Sequence, residues 1–210
     1  MQKHLTKQKI IRLLENEFRE QINPLLKLLS GKKRPHIEFV NTILEISQQL
    51  QRSEDIIYLL RSAIQQAPRA CPLYSRLIGY LLQQNKYQQA EWWWGISLKI
   101  EPQCADLWLF GVEIALWKEN ETEAVNCLNR ASSLFHSKDD DKFKRVKASL
   151  NLWRAEKAWK NDECERALFW ARSALVDDSS WDKPHHRLNE MLRLLKQSQP
   201  PSSSSILQAL

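Results

Sequence analysis

The sequence predicts an all-α fold built by repetition, and three observations carry that prediction. Only four glycines occur in 210 residues, too few for a sheet-rich or Gly-loop fold. Long runs of Leu, Gln, Lys, Glu, Ala and Arg favour helix. Pro68 and Pro102, in AIQQAPR and SLKIEPQ, stand 34 residues apart. The same step carries Tyr74 to Trp108, Ala90 to Ala124, Trp94 to Leu128, and Ala63 to Ser97 to Ala131. Small residues fall on small and large on large, as stacked helical pairs require.

A 34-residue period with an aromatic near position 4, Ala at 20, a large apolar residue at 24, a small one at 27 and Pro at 32 resembles the tetratricopeptide repeat (TPR). The match is best over 71–136, where Tyr74, Leu77, Ala90, Trp94, Ser97 and Pro102 form one unit. Trp108, Ala124, Leu128 and Ala131 mark the next. A weaker unit at 37–70 has Val40, Ile43, Leu60, Ala63 and Pro68, and a fourth at 148–181 has Ala167, Ala174 and Leu175. The pattern departs from the family where Ile78 and Val112 replace one usual glycine, and where Asn85 and Glu119 replace the glycine of the inter-helix turn. The resemblance implies a right-handed α-solenoid of four units, about 37–70, 71–104, 105–138 and 148–181, whose first helices form the concave face.

The elements follow in order. Residues 1–35 hold nine Lys/Arg against three Asp/Glu, whereas 36–210 carry 22 of each. The basic character therefore belongs to an N-terminal segment, which suits nucleic acid or an acidic surface, or simply a solvated helix face. An amphipathic helix is expected over 5–22 through Ile10, Leu13, Leu14 and Phe18, with Pro24 breaking or restarting it. Gly31 ends that stretch before the basic loop Lys32-Lys33-Arg34-Pro35. From Ala124 to Ala167 the step is 43, so nine residues are inserted, near 137–147. His136 to Lys138 read as a loop and Asp139 or Asp140 as a helix cap. Helical spacing through Phe143, Val146, Leu150 and Trp153 then predicts a first helix of roughly 20 residues, lengthened by about two turns. A capping helix is expected over 183–197, with Pro184 in its first turn and Leu188, Met191, Leu192 and Leu195 inward. The tail 198–210, which ends QPPSSSSILQAL, reads as disordered.

The run AEWWWGISLKI takes its meaning from the repeat. Trp93 and Trp94 fall where the resemblance buries residues, so they read as core. Trp92 falls at position 22, which usually faces solvent on the convex side, and Tyr58 and Phe169 hold the same place in two other units. An aromatic row there would be a contact surface, open to self-association, unless the N-terminal helix folds over it. Glu91 and Lys99 flank the run and argue against membrane insertion. No apolar stretch approaches the roughly 20 residues that span a bilayer.

Chemistry is not expected. There is no Gly-rich phosphate loop, no HExxH and no nucleophile signature. Cys71, Cys104, Cys127 and Cys164 are scattered without metal-site spacing and read as free thiols in a reducing compartment, with the cytoplasm as default. His185 and His186, adjacent on a helix, do not converge on one metal. Asp139, Asp140 and Asp141 suit capping better than a cation. No cofactor, metal or catalytic residue is assigned.

The resemblance places a partner-binding groove along the first helices. Its expected residues are Asn41, Glu45, Arg76, Leu109, Glu113, Trp117, Glu156 and Trp159, with Ser75, Gly79, Leu82, Gln83, Asp106, Leu116 and Leu152 beside them. Glutamates recur at 45, 113 and 156, so the expected partner is a protein or peptide segment carrying basic and apolar residues. Solvated face charges explain the same glutamates more plainly. The carboxylate clamp of TPR co-chaperones is absent, since its positions carry Asn41, Glu45, Arg76, Asp106 and Phe110. The expected function is a non-catalytic scaffold, adaptor or assembly factor.

Overall fold

The computed structural model describes residues 2–15, 22–29, 36–135 and 141–198. Its helices are α1 (Gln2–Glu15), α2 (Ile22–Leu29), α3 (His36–Gln49), α4 (Ser53–Gln66), α5 (Cys71–Gln83), α6 (Tyr87–Ile100), α7 (Ala105–Trp117), α8 (Glu121–Leu134), α9 (Asp141–Lys160), α10 (Cys164–Asp177) and α11 (Asp182–Ser198). No strand occurs among the described residues. Sequential helices pack in pairs, α5 with α6, α7 with α8 and α9 with α10, and each pair stacks on the next to give a helical solenoid.

The repeat is visible in small features. Ala63, Ala90, Ala124, Ala131, Ala167 and Ala174 are fully buried, and Ser97 almost so. These are the positions where two helices come closest, and any longer side chain there would hold them apart. The turns within the last three pairs each place one residue in the left-handed region, Asn85 (φ 56°), Glu119 (φ 56°) and Asp162 (φ 59°). The spacing from Glu119 to Asp162 equals that from Ala124 to Ala167, so the fourth pair keeps register after the insertion. The joints between pairs also recur. Tyr74 Oη donates to Pro68 O at 2.9 Å, and Trp108 Nε1 donates to Pro102 O at 2.8 Å.

The triple tryptophan resolves within this frame. Trp94 Nε1 donates to Leu107 O at 2.8 Å, and its ring meets Trp108 edge-on at 6.5 Å. Gly111 lets that ring approach, because a Cβ there would lie 2.6 Å from Trp94. Trp93 is half-buried between Tyr74 and Arg61.

At the amino end the expected helix 5–22 is described as α1 up to Glu15, with Phe18 outside the described residues, and Pro24 sits in the first turn of α2, where a missing N–H costs nothing. Ile10, Leu14, Ile22 and Leu26 are fully buried and cap the first pair. α9 has 20 residues, and its added turns lie at its amino end. In α11, Pro184 is in the first turn and Met191 is fully buried against Ala155, Ala158, Ala167 and Ala171. The basic loop 32–35, the expected caps Asp139 and Asp140, and residues 199–210 lie outside the described residues.

Candidate functional site

The first helices line a concave cleft of about 800 Å³. α3 contributes Leu44 and Gln48, and α5 contributes Cys71, Pro72, Ser75, Arg76, Gly79, Tyr80 and Gln83. α7 and the loop before it supply Glu101, Gln103, Cys104, Asp106 and Phe110, and α9 closes one end with Lys142. Lys142 Nζ pairs with Asp106 Oδ2 at 3.2 Å. The Nε of Arg76 is shielded from solvent and has no hydrogen-bond partner. Gly79 keeps the cleft deep, since a Cβ there would lie 3.3 Å from the Phe110 ring.

The expected groove residues divide. Arg76, Ser75, Gly79, Gln83 and Asp106 line the cleft. Asn41 and Glu45 are exposed on α3, but the helix turns Leu44 and Gln48 inward instead. One residue along a helix is a rotation of roughly 100°, so neighbouring stripes face different ways. Leu109 is a correction: it is 4% exposed and packs with Phe143, Val146 and Leu150. The added turns of α9 cover the face of α7 that carries it. Glu113, on the same stripe, is half-buried, and burial raises its carboxyl above the ordinary value. Trp117 is 43% exposed and stacks flat on Tyr87, centroids 5.2 Å apart.

In the fourth pair the groove is already occupied. Arg187 of α11 makes two parallel hydrogen bonds to Glu156, at 2.7 and 2.8 Å, and its guanidinium lies 6.0 Å from the Trp159 ring centroid. The pairing with Glu156 raises the Arg187 guanidinium further above its ordinary value. Trp159 is half-buried beside Ala155, Ala158 and Met191. Glu156 and Trp159, expected in the groove, thus help to seat the capping helix.

Of the convex aromatics, Tyr58 is half-buried against the N-terminal core. Trp92 and Phe169 are 61% and 60% exposed. Each meets the next aromatic edge-on, Trp92 on Trp93 at 4.8 Å and Phe169 on Trp170 at 5.0 Å. The arrangement at position 22 is the same in two units, and no described helix covers either ring.

One juxtaposition escaped the sequence. Cys71 and Cys104, read as isolated, both line the cleft. They stand at the two ends of one unit, where stacking brings residues about one period apart into contact. That spacing was the available signal. His185 and His186 are exposed, with His185 Nε2 3.3 Å from Ser179 O. Among the described residues no helix is long and apolar enough to cross a membrane.

No family model and no curated protein matches the chain. Solved structures do. The MamA protein aligns at 10% identity over 75% of this chain and 88% of that one, with a TM-score of 0.51. A second structure, MamA MSR-1 C2, aligns at 14% identity over 85% and 97%, with a TM-score of 0.50. TTC0263, a thermophilic TPR protein in Thermus thermophilus, aligns at 16% identity over 89% and 98%, with a TM-score of 0.49. Likeness at these identities is one of fold, an all-α solenoid of stacked helical pairs, which does not fix function.

Proposed function

We propose that this divergent TPR-like solenoid is a non-catalytic protein-interaction module, a scaffold, adaptor or assembly factor, which holds an extended segment of a partner in its concave cleft. The observation that supports this reading is the unpartnered Nε of Arg76, set in a wall with Gln48, Gln83 and Gln103. Such a wall offers donors and acceptors to a peptide backbone, while Pro72 and Phe110 accept an apolar side chain. Glu101 remains for a basic residue of the partner.

The test is a peptide selected by display against the wild-type protein, then titrated calorimetrically. Gly79→Leu fills the cleft and Arg76→Glu reverses its donor. Each is expected to weaken binding at least tenfold, about 1.4 kcal/mol, with Trp92→Ala unchanged. Equal affinity for all variants would move the site elsewhere.

A second reading is favoured by the paired exposure of Trp92 and Phe169: self-association through the convex face. Sedimentation that depends on concentration, and ceases in Trp92→Ala/Phe169→Ala, would support it. The nucleic-acid alternative rests on the basic segment 1–35. A salt-dependent affinity for nucleic acid, lost on deleting that segment, would favour it.

A further inference from the structure

The outer face of the second helices is not uniform. The step of 43 that carries Ala124 to Ala167 also carries Asn126, Asn129 and Ser133 of α8 to Phe169, Arg172 and Val176 of α10. On α8 all three are exposed and polar. On α10 the same positions hold two large apolar side chains with a cation between them. Phe169 is 60% exposed and Val176 85%. Arg172 is exposed too, and has no ion-pair partner among the described residues. The repeat stacks with asparagine and serine at these places, so its packing does not require the apolar pair.

Beside this stripe runs a groove between α8 and α10, floored by α9. Two hollows of about 490 and 250 Å³ make it up, and Arg154 and Trp170 line both. Leu128 and Leu150 give the larger hollow an apolar lining. Five cations line the two together, Lys147, Arg154, Lys157, Arg166 and Arg172. The lining also holds three carboxylates, and each is already bound: Glu121 by Arg154 at 2.8 Å, Glu163 by Arg166 at 2.8 Å and Asp177 by Lys147 at 2.7 Å. Two cations are left over, Arg172 and Lys157, whose Nζ lies 4.9 Å from the Trp153 ring centroid.

We propose that this groove is a docking surface for an acidic amphipathic helix of a partner protein. This is independent of what occupies the concave cleft. Phe169 and Val176 stand two turns apart on α10, about 10 Å along its axis. A partner helix laid beside α10 has the same rise, so two of its large apolar residues, two turns apart, meet both. Asp or Glu residues flanking that apolar stripe meet Arg172 and Lys157. The lining favours a protein over nucleic acid. Three carboxylates and two surplus cations make a poor seat for a phosphate backbone. Exposed apolar side chains rimmed by charge suit a helix.

The experiment displays a library of helical peptides on phage and selects on the full chain. The counter-target carries Phe169→Asn, Arg172→Asn and Val176→Ser, the residues that α8 bears at the same positions. Selected peptides are expected to carry large apolar residues two turns apart with Asp or Glu beside them. Fluorescence anisotropy should show binding at least about tenfold weaker to the counter-target. Affinity should fall in higher salt, and Gly79→Leu, which fills the concave cleft, should leave it unchanged. Arg172→Glu alone, at an exposed side chain, should weaken binding by a similar factor, which keeps the test decisive if the triple variant fails to fold. Basic or uncharged peptides, equal affinity for the counter-target, loss with Gly79→Leu, or no peptide at all would each overturn the proposal. So would a wild-type dimer in sedimentation that the triple substitution dissolves, since a second copy would then fill the groove. A labelled single-stranded oligonucleotide that binds there more tightly than the peptide would overturn it as well.

Discussion

From α1 to α7 one apolar cluster runs unbroken, from Ile10 and Leu14 through Leu60, Leu77 and Ile78 to Leu107 and Ile114. Beyond it, from Leu109 on and apart from Ile114, the buried apolar residues divide into three smaller clusters. Much of the last two is alanine: Ala155, Ala158, Ala167 and Ala171 in one, Ala148 and Ala174 in the other. The seams between them carry ion pairs, Arg154 with Glu121 at 2.8 Å, Lys147 with Asp177 at 2.7 Å, and Arg145 with Asp178. Guanidinium groups also sit over tryptophans, Arg154 at 4.5 Å from Trp170 and Arg145 at 5.1 Å from Trp181. One repeat is thus stacked in two ways. Large aliphatic side chains join the units early in the chain. Where alanine leaves little area to bury, planar cations that bond a carboxylate and cover a ring do the joining.

The largest expected effect breaks the apolar half. Leu77→Ala removes a fully buried side chain and should cost about 2–5 kcal/mol, read as a lower urea midpoint. Hydrogen exchange should quicken in α3 to α6 and leave α10 protected. Equal loss in α10 would mean that the two halves unfold as one.

Acid should act on the other half first. The Asp178 carboxyl is held below its ordinary value, chiefly by its hydrogen bond from Arg145 and then by Ser180. A carboxyl with a depressed folded pKa contributes fully above its unfolded value, about 3.9. That contribution is lost as pH falls through the lower folded value. Exchange in α9 and α10 should therefore quicken below about pH 4 before it does in α5 and α6. Arg145→Ala should flatten that slope and cost about 1–2 kcal/mol at neutral pH, kept modest by the half-exposed guanidinium. An unchanged acid profile in this variant would remove the ionic seam from the account.

The smallest effect sharpens the comparison by touching neither type of packing. Glu119 holds φ 56°, a region that costs an L residue about 1 kcal/mol. Glu119→Gly should raise stability by about 0.5–1 kcal/mol, and Asn85→Gly by less, because Asn tolerates this conformation better. Paired thermal melts would show it, and a loss at Glu119 would place the strain elsewhere.

The repeat was legible in the sequence because its small residues and prolines recur at one spacing. Trp94 as core followed from the same register. The cleft was legible only in part. Ser75, Arg76 and Asp106 line it as expected. Leu109 does not, because the length of the insertion could be counted but not the side on which its turns would pack. Glu156 and Trp159 looked available because Arg187 lies 31 residues from Glu156 in the chain, and nothing local ties the two. That Cys71 and Cys104 share one cleft needed the stack itself, since the cleft exists only between neighbouring units.

The added turns of α9 have a consequence for tolerance to change. Nine residues enter between Ala124 and Ala167, yet Asp162 holds nearly the same dihedral as Glu119. Seven of the nine lengthen α9, which has 20 residues against 13 in α7, and all nine lie upstream of the turn. An array edited there alters its outline while its pitch is kept, and that junction is where a graft or a fused tag should disturb the stacking least.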